Sequence, residues 1–273
     1  MIEKTINRHI VGTKESVFLI FLLLIILMIK VFFVVFANPL PDEAYYWLWS
    51  KNRALSYFDH PPLAAWLQAF LFSFSDNKYF GIRALPVISL GFVLTIIIVW
   101  QRIMSKRLNF GVCLKSVVLF LAFPIYAIFF SISFPDHLLI TLLFASSFFL
   151  FLYFETNSKL SHRIYYWYLA TLFFSLALLT KYNAVLLGMG VLAYISYYKK
   201  QIEGPSYVHI FISIIMIALI QMPVLLWNIS NDFASFSFHM VERLDQGKNF
   251  LAVFYNIVGF ISGVIIAFSP IFI

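Results

Sequence analysis

The sequence predicts an all-α, polytopic membrane helix bundle. The chain is 62% hydrophobic, 20% aromatic and only 11% charged, outside the range of a soluble globular domain. Its apolar runs, Val17–Ile29 and Ile88–Trp100 among them, are too long to be surface helices. The short alternating segments of a membrane β-barrel are missing, so helices must satisfy the backbone within hydrocarbon. The net charge of +7 does not indicate nucleic acid, because Lys and Arg form short clusters between apolar runs rather than a basic stripe. Cys113, the lone cysteine, leaves no intrachain disulfide and no cysteine-based metal site. A cleaved signal peptide is not expected, since no small-residue cleavage site follows the first apolar run.

About eight spanning helices are expected in one domain covering residues 1–273, with no internal repeat or linker. Met1–Ser16 reads as a basic cytoplasmic tail. Helix one covers Val17–Ala37, with Lys30 turned to the bundle because a lipid-facing lysine costs about 2.5–3.5 kcal/mol. Asn38-Pro39 ends it. Two short interfacial helices then make the first outer loop. In the first, Asp42, Tyr45, Tyr46 and Trp49 follow helical i, i+3, i+4, i+7 spacing. The second starts at Asp59-His60-Pro61-Pro62, a polar cap followed by proline, and runs to Phe74.

Six further spans follow in alternating directions: Tyr79–Gln101, Val112–Phe130, His137–Phe154, Ile164–Thr180, Asn183–Tyr198 and Val208–Trp227. An outer segment, Asn228–Asn249, precedes the last, Phe250–Ile273. Charge supports an inward amino terminus. Eleven of the 19 basic residues fall on the proposed cytoplasmic side, and eight of the 12 acids on the other.

The stretch Asp42–Trp66 cannot be explained by the demands of lipid. It holds Asp42, Glu43, Asp59, His60 and seven aromatic residues between two apolar segments. Asp42 and Glu43 read as a general base with a supporting acid or metal ligand, or as ordinary interface polarity. Asp59 and His60 read as a helix start or as residues facing the same pocket. Asp136, in Pro135-Asp136-His137, reads as a helix cap or as a second carboxylate on the same membrane face. With Asp42 it is a candidate holder of a divalent cation, the one cofactor expected. Lys181 and Arg83 are candidate phosphate contacts, with snorkelling to the surface the plain alternative for Lys181. Tyr45, Tyr46, Asn228, His239 and Arg243 are candidate substrate contacts, the last three on an outer segment that forms either a loop or a partial lid.

Six ordered motifs resemble a known family. They are DEAYYWLWS, SYFDHPPLAAW, IRALPVISL, SFPDHLLITLLF, LLTKYNAVLLG and PVLLWNISNDFASFSFH. The chain resembles the polyprenyl-phosphate-sugar-dependent membrane glycosyltransferases of the GT-C class. That group includes family 39 enzymes, protein O-mannosyltransferases and lipid A aminoarabinose transferases. The resemblance implies that Asp42 is the first outer-loop acid, a base or metal-associated carboxylate, and that Asp136 is the second. It implies that Asp59 and His60 stand at a pair that is Glu-Lys in the aminoarabinose branch and touches lipid phosphate there. Here a titratable cation replaces a permanent one. Lys181 and Arg83 fall at positions suited to the same phosphate.

The expected function is transfer of a sugar from a polyprenyl-phosphate donor to a lipid A, glycan or protein hydroxyl. The expected place is the periplasmic side of a bacterial inner membrane, with membrane lipids and no nucleic acid as further partners. Family members usually carry further spanning helices, so residues 1–273 are expected to be the N-terminal part of a GT-C module. The rival readings are a non-catalytic truncated subunit and a lipid or solute transporter.

Overall fold

The structure, a computed structural model, describes residues 13–74, 78–105, 109–155, 160–198, 204–242 and, beyond these, 255, 258–259 and 261–263. Every regular element among the described residues is helical. Packing divides the chain into two compact units.

The first unit comprises the described parts of Met1–Ala44, Ser75–His137 and Gln246–Ile273. It is built on α1 (Thr13–Phe36), α4 (Lys78–Ser105), α5 (Phe110–Ala122) and α6 (Pro124–Phe129), and takes in the first turns of α2 (Pro41–Lys51) and α7 (Pro135–Glu155). α1 packs on α5 through Leu19, Leu114 and Val118. Asn109 starts α5 as an N-cap, its side chain accepting from the Val112 amide at 3.2 Å.

The sequence suggested one helix over Val112–Phe130; the structure breaks it at Pro124. Phe123 is extended (ψ 118°), as a residue before proline prefers, and Pro124 opens α6. Lys30 is buried, as expected, and it stitches this break to α1. Its ammonium donates to the Ala127 carbonyl at 2.9 Å and to Ser131 Oγ at 2.8 Å.

The second unit covers 45–74 and the described part of 138–245. It contains the rest of α2 and α7, then α3 (Leu63–Phe72), α8 (Leu160–Leu178) and a 3₁₀ turn (Tyr182–Ala184). Next come α9 (Val185–Tyr198), α10 (Tyr207–Ser230), α11 (Ala234–Ser237) and a π-helical turn (Phe238–Glu242). Leu63, Leu138, Leu142, Leu179 and Val224 form its main core. The Leu63 amide donates to the Leu179 carbonyl at 3.0 Å, tying the start of α3 to the end of α8. At the other end of α8, Tyr153, Ile164 and Trp167 form a second core, and Trp167 donates to Ser213 Oγ on α10.

The two expected short helices of the first outer loop are present as α2 and α3. α3 starts later than expected. Pro62 occupies its N-cap position without a side-chain cap, so Asp59 does not cap it. Among the described residues four helices are long and apolar enough to cross a membrane: α1, α4, α7 and α10, matching expected spans one, two, four and seven. Expected span three falls on the broken α5–α6 pair, and expected spans five and six fall on α8 and α9, which are not among those four. Span eight, Phe250–Ile273, lies almost wholly outside the described residues.

Candidate functional site

In the first unit the chemistry is arranged around Glu43, which is fully buried. Its Oε1 accepts from Arg83 Nε at 3.0 Å and from the Ser133 amide at 2.9 Å. Its Oε2 accepts from Arg83 Nη2 at 2.8 Å and from the Leu40 amide at 2.9 Å. The Leu40 bond is a helix-capping interaction, in which an acid in the first turn reaches back to the cap residue's N–H.

Arg83 completes the clasp. Its Nη1 donates to the Phe33 and Ala37 carbonyls at 2.8 and 2.9 Å, and its Nη2 to Asn38 at 3.2 Å. These carbonyls cluster at and just past the end of α1, where the helix ladder runs out; that of Phe33 also accepts from the Ala37 amide at 3.1 Å. All five guanidinium N–H groups are thereby engaged. Burial alone would raise the Glu43 pKa, but the bonds from Arg83, Leu40 and Ser133 outweigh it and hold the carboxyl below its ordinary range.

Two sequence expectations change here. Arg83 was a candidate for lipid phosphate, but its donors already hold Glu43 and the end of α1. Glu43 was a candidate catalytic acid, but its lone pairs are filled by the clasp. The clasp ties the residue just ahead of α2 to the segment just ahead of α7. Asp42 and Asp136, in the first turns of those helices, therefore belong to one unit. Asp42 is exposed and has no hydrogen-bond or ionic partner among the described residues; Asp136 is half-buried. His137 turns inward, its Nδ1 3.0 Å from Ser89 Oγ. No group of three or more His, Cys, Asp or Glu side chains suited to a metal occurs among the described residues.

The second unit gathers its candidates around the loop 52–60. Asp59 Oδ1 accepts from the Tyr45 hydroxyl at 3.2 Å, and Oδ2 lies 3.4 Å from His60 Nδ1. Burial pushes the Asp59 carboxyl up, but His60 and Tyr45 together bring it below its ordinary value. Burial and the Asp59 charge raise the Tyr45 hydroxyl. The His60 ring meets the Tyr46 ring edge-on at 5.7 Å and lies 5.8 Å from the Trp49 ring. Trp49 stacks on Tyr57 at 4.5 Å and 7°, and Tyr57 donates to the Trp49 carbonyl at 2.9 Å. Trp66 braces the loop by donating to the Ala54 carbonyl.

His239 reaches the same loop, its Nε2 3.0 Å from the Asp59 carbonyl. That contact requires the proton on Nε2. His239 also lies edge-on to Tyr182, whose hydroxyl is 3.0 Å from Ser235 Oγ. Lys181, half-buried and in extended conformation, directly precedes that tyrosine. Asn228 takes a structural place instead of a substrate-facing one. It is fully buried, its side chain donates to the Val224 carbonyl, and its own carbonyl accepts from Phe233 at 2.8 Å. That turn holds Asp232 and Phe233 at positive φ, strained for such residues. Arg243 lies outside the described residues.

The second unit thus brings Tyr45, Tyr46, Asp59, His60 and His239 together. Sequence reasoning passed over Tyr57, Tyr182 and Ser235, which hold the loop in place. The only signal for Tyr182 was its position beside Lys181.

An all-helical membrane protein with acids in the first turns of two helices, and an acid–histidine pair set among aromatic rings, has the makings of a GT-C membrane glycosyltransferase. Comparison with known proteins gives that class. Residues 59–227 match the family described as dolichyl-phosphate-mannose-protein mannosyltransferase, and the chain belongs to that family. It is 27% identical over 230 residues to lipid A galacturonosyltransferase RgtD of Rhizobium johnstonii, covering 80% of this chain and 46% of that protein. Its fold resembles that of ArnT from Cupriavidus metallidurans in the apo state, at a TM-score of 0.63 and 15% identity. That likeness covers 84% of this chain and 45% of the other. The chain therefore spans about half the length of the relatives it matches.

Proposed function

We propose that the chain is a membrane glycosyltransferase module of a bacterial inner membrane. It would move a sugar from a polyprenyl-phosphate donor to a lipid A, glycan or protein hydroxyl on the periplasmic side. The observation that carries this reading is Glu43's hold on both the Leu40 and Ser133 amides. That hold ties the segments leading into the helices of Asp42 and Asp136 while leaving Asp42 unpartnered. The family membership and the relatives' names support the reaction class.

In this reading Asp42 accepts the acceptor's proton as the hydroxyl oxygen bonds to the anomeric carbon. The bond from that carbon to the donor phosphate breaks on the opposite face, and the lipid phosphate leaves with the electron pair. The configuration inverts. Positive charge beside the departing phosphate would stabilise it electrostatically. Asp136 and Asp42 are the residues that would hold a divalent cation, which would supply positive charge against the donor phosphate. A transporter reading would use Lys30 as its mid-membrane charge, but Lys30 is already bonded to Ala127 and Ser131.

The test is transfer of labelled sugar from a polyprenyl-phospho-sugar by wild type and by Asp42→Asn in vesicles. Removal of a general base lowers turnover by about 10²–10⁴-fold. Equal turnover by both would exclude Asp42 as the base. Absence of turnover in wild type would favour a non-catalytic subunit.

A further inference from the structure

α7 and α9 leave a cleft of about 270 Å³ between them, wholly within the second unit. Its walls are Leu150, Phe151 and Phe154 from α7 and Leu187, Gly190 and Val191 from α9. The wedge has a physical origin. α9 meets α8 at Gly188, where an added Cβ would lie 2.8 Å from the Phe174 ring. Two residues further on, a Cβ at Gly190 would meet nothing within 4 Å. α9 accordingly has no buried residue, although its sequence is apolar. Phe154 and Tyr194 pack edge to face at 5.2 Å within the lining.

Glu155, also in the lining, is the last residue of α7 and lies at the opposite end of that helix from Asp136. It is exposed and has no partner among the described residues. The last turn of α7 carries no basic residue, so among the described residues nothing offsets the carboxylate at the negative end of the helix dipole. Such a site favours a cation. α7 is long and apolar enough to cross a membrane, and the cleft runs along its last turns.

We propose that this cleft is a resident-lipid site. It takes one acyl chain of an aminophospholipid, whose ammonium headgroup rests on Glu155. The apolar walls select the chain, and the unopposed carboxylate selects a headgroup that carries a positive charge.

The test uses the full chain in phosphatidylcholine vesicles doped with a phosphatidylethanolamine that carries a diazirine in its acyl chain. A phosphatidylglycerol with the same chain is the comparison lipid. Photolabelling is expected on peptides that contain Leu150–Glu155 and Leu187–Tyr194. Gly190→Leu, which fills the cleft, should abolish it without lowering the melting temperature. Glu155→Gln, on an exposed side chain, should leave labelling intact but reduce the preference for phosphatidylethanolamine about fivefold. Three results would overturn the proposal: undiminished labelling of Gly190→Leu, an unchanged headgroup preference in Glu155→Gln, or crosslinks showing a second copy or another segment of this chain in the cleft.

Discussion

Arg83 and Glu43 form a buried, two-bonded ion pair, and each also serves the backbone of a different segment. Removing one partner would strand the other charge and release either the end of α1 or the segments ahead of α2 and α7. Glu43→Gln and Arg83→Met are each expected to cost about 3–5 kcal/mol. The Glu43→Gln/Arg83→Met double variant should cost less than their sum, because no charge is left unpaired. Thermal unfolding in detergent, followed by tryptophan fluorescence, measures all three. Additive losses would show that the pair is not coupled.

The same pair sets an acid limit. The folded-state pKa of Glu43 is held below its ordinary value of 4.5. Its contribution is therefore fully present above that value and is lost as pH falls from there through the lower folded-state pKa. Melting temperature against pH should fall across that acid window in wild type. The Glu43→Gln variant should lack this component of the fall.

Much of the fold was legible because lipid leaves helices few alternatives. Runs such as Val17–Ile29 and Ile88–Trp100 could be little else, and the structure puts α1 and α4 there. What failed was local punctuation. Pro124 was a visible break, yet the apolar sequence on both sides hid it within one expected span. Asp59 preceded two prolines and looked like a cap, but Pro61-Pro62 displaced the start of α3 to Leu63. Its carboxylate went instead to Tyr45 and His60. The roles of Glu43 and Arg83 were illegible for a different reason. An acid and a cation forty positions apart look the same whether they meet a ligand or each other, and only tertiary packing decides.

Gly188 and Gly190 should respond differently to one added carbon. At Gly188 the new Cβ would press on the Phe174 ring at 2.8 Å, so α9 or that ring must move. At Gly190 it would enter open space, and alanine would remove glycine's backbone freedom in the unfolded chain. Gly190→Ala is expected to be stabilising by up to about 1 kcal/mol, and Gly188→Ala to be destabilising. Melting temperatures of the two variants, measured side by side, decide this.

His239 pins the loop of Asp59 by a hydrogen bond to a backbone carbonyl. His239→Ala should lose about 1 kcal/mol of local stability, the net worth of an ordinary hydrogen bond. The Asp59–His60 contact itself should be left intact. Hydrogen exchange at the amides of residues 56–60 is expected to quicken severalfold. Unchanged exchange there would mean that Trp66 and Tyr57 hold the loop without His239.

Asp42 and Asp136 differ in setting, and their variants should fail differently. Asp42 is exposed and has no partner among the described residues, and in the proposed reading it takes the acceptor's proton. Asp136 is half-buried at the start of α7, where the helix end already favours a negative charge. Asp42→Asn is therefore expected to lower kcat for sugar transfer while leaving donor KM nearly unchanged. Asp136→Asn should raise donor KM, with a smaller change in kcat. If a divalent cation joins Asp136 to the phosphate, a chelator should reproduce the Asp136→Asn defect in wild type and add nothing to the variant. Transfer rates for the three proteins over a range of donor concentrations, with and without chelator, separate these cases. A chelator effect of equal size in Asp136→Asn and wild type would place the cation elsewhere. No chelator effect in wild type would exclude the cation.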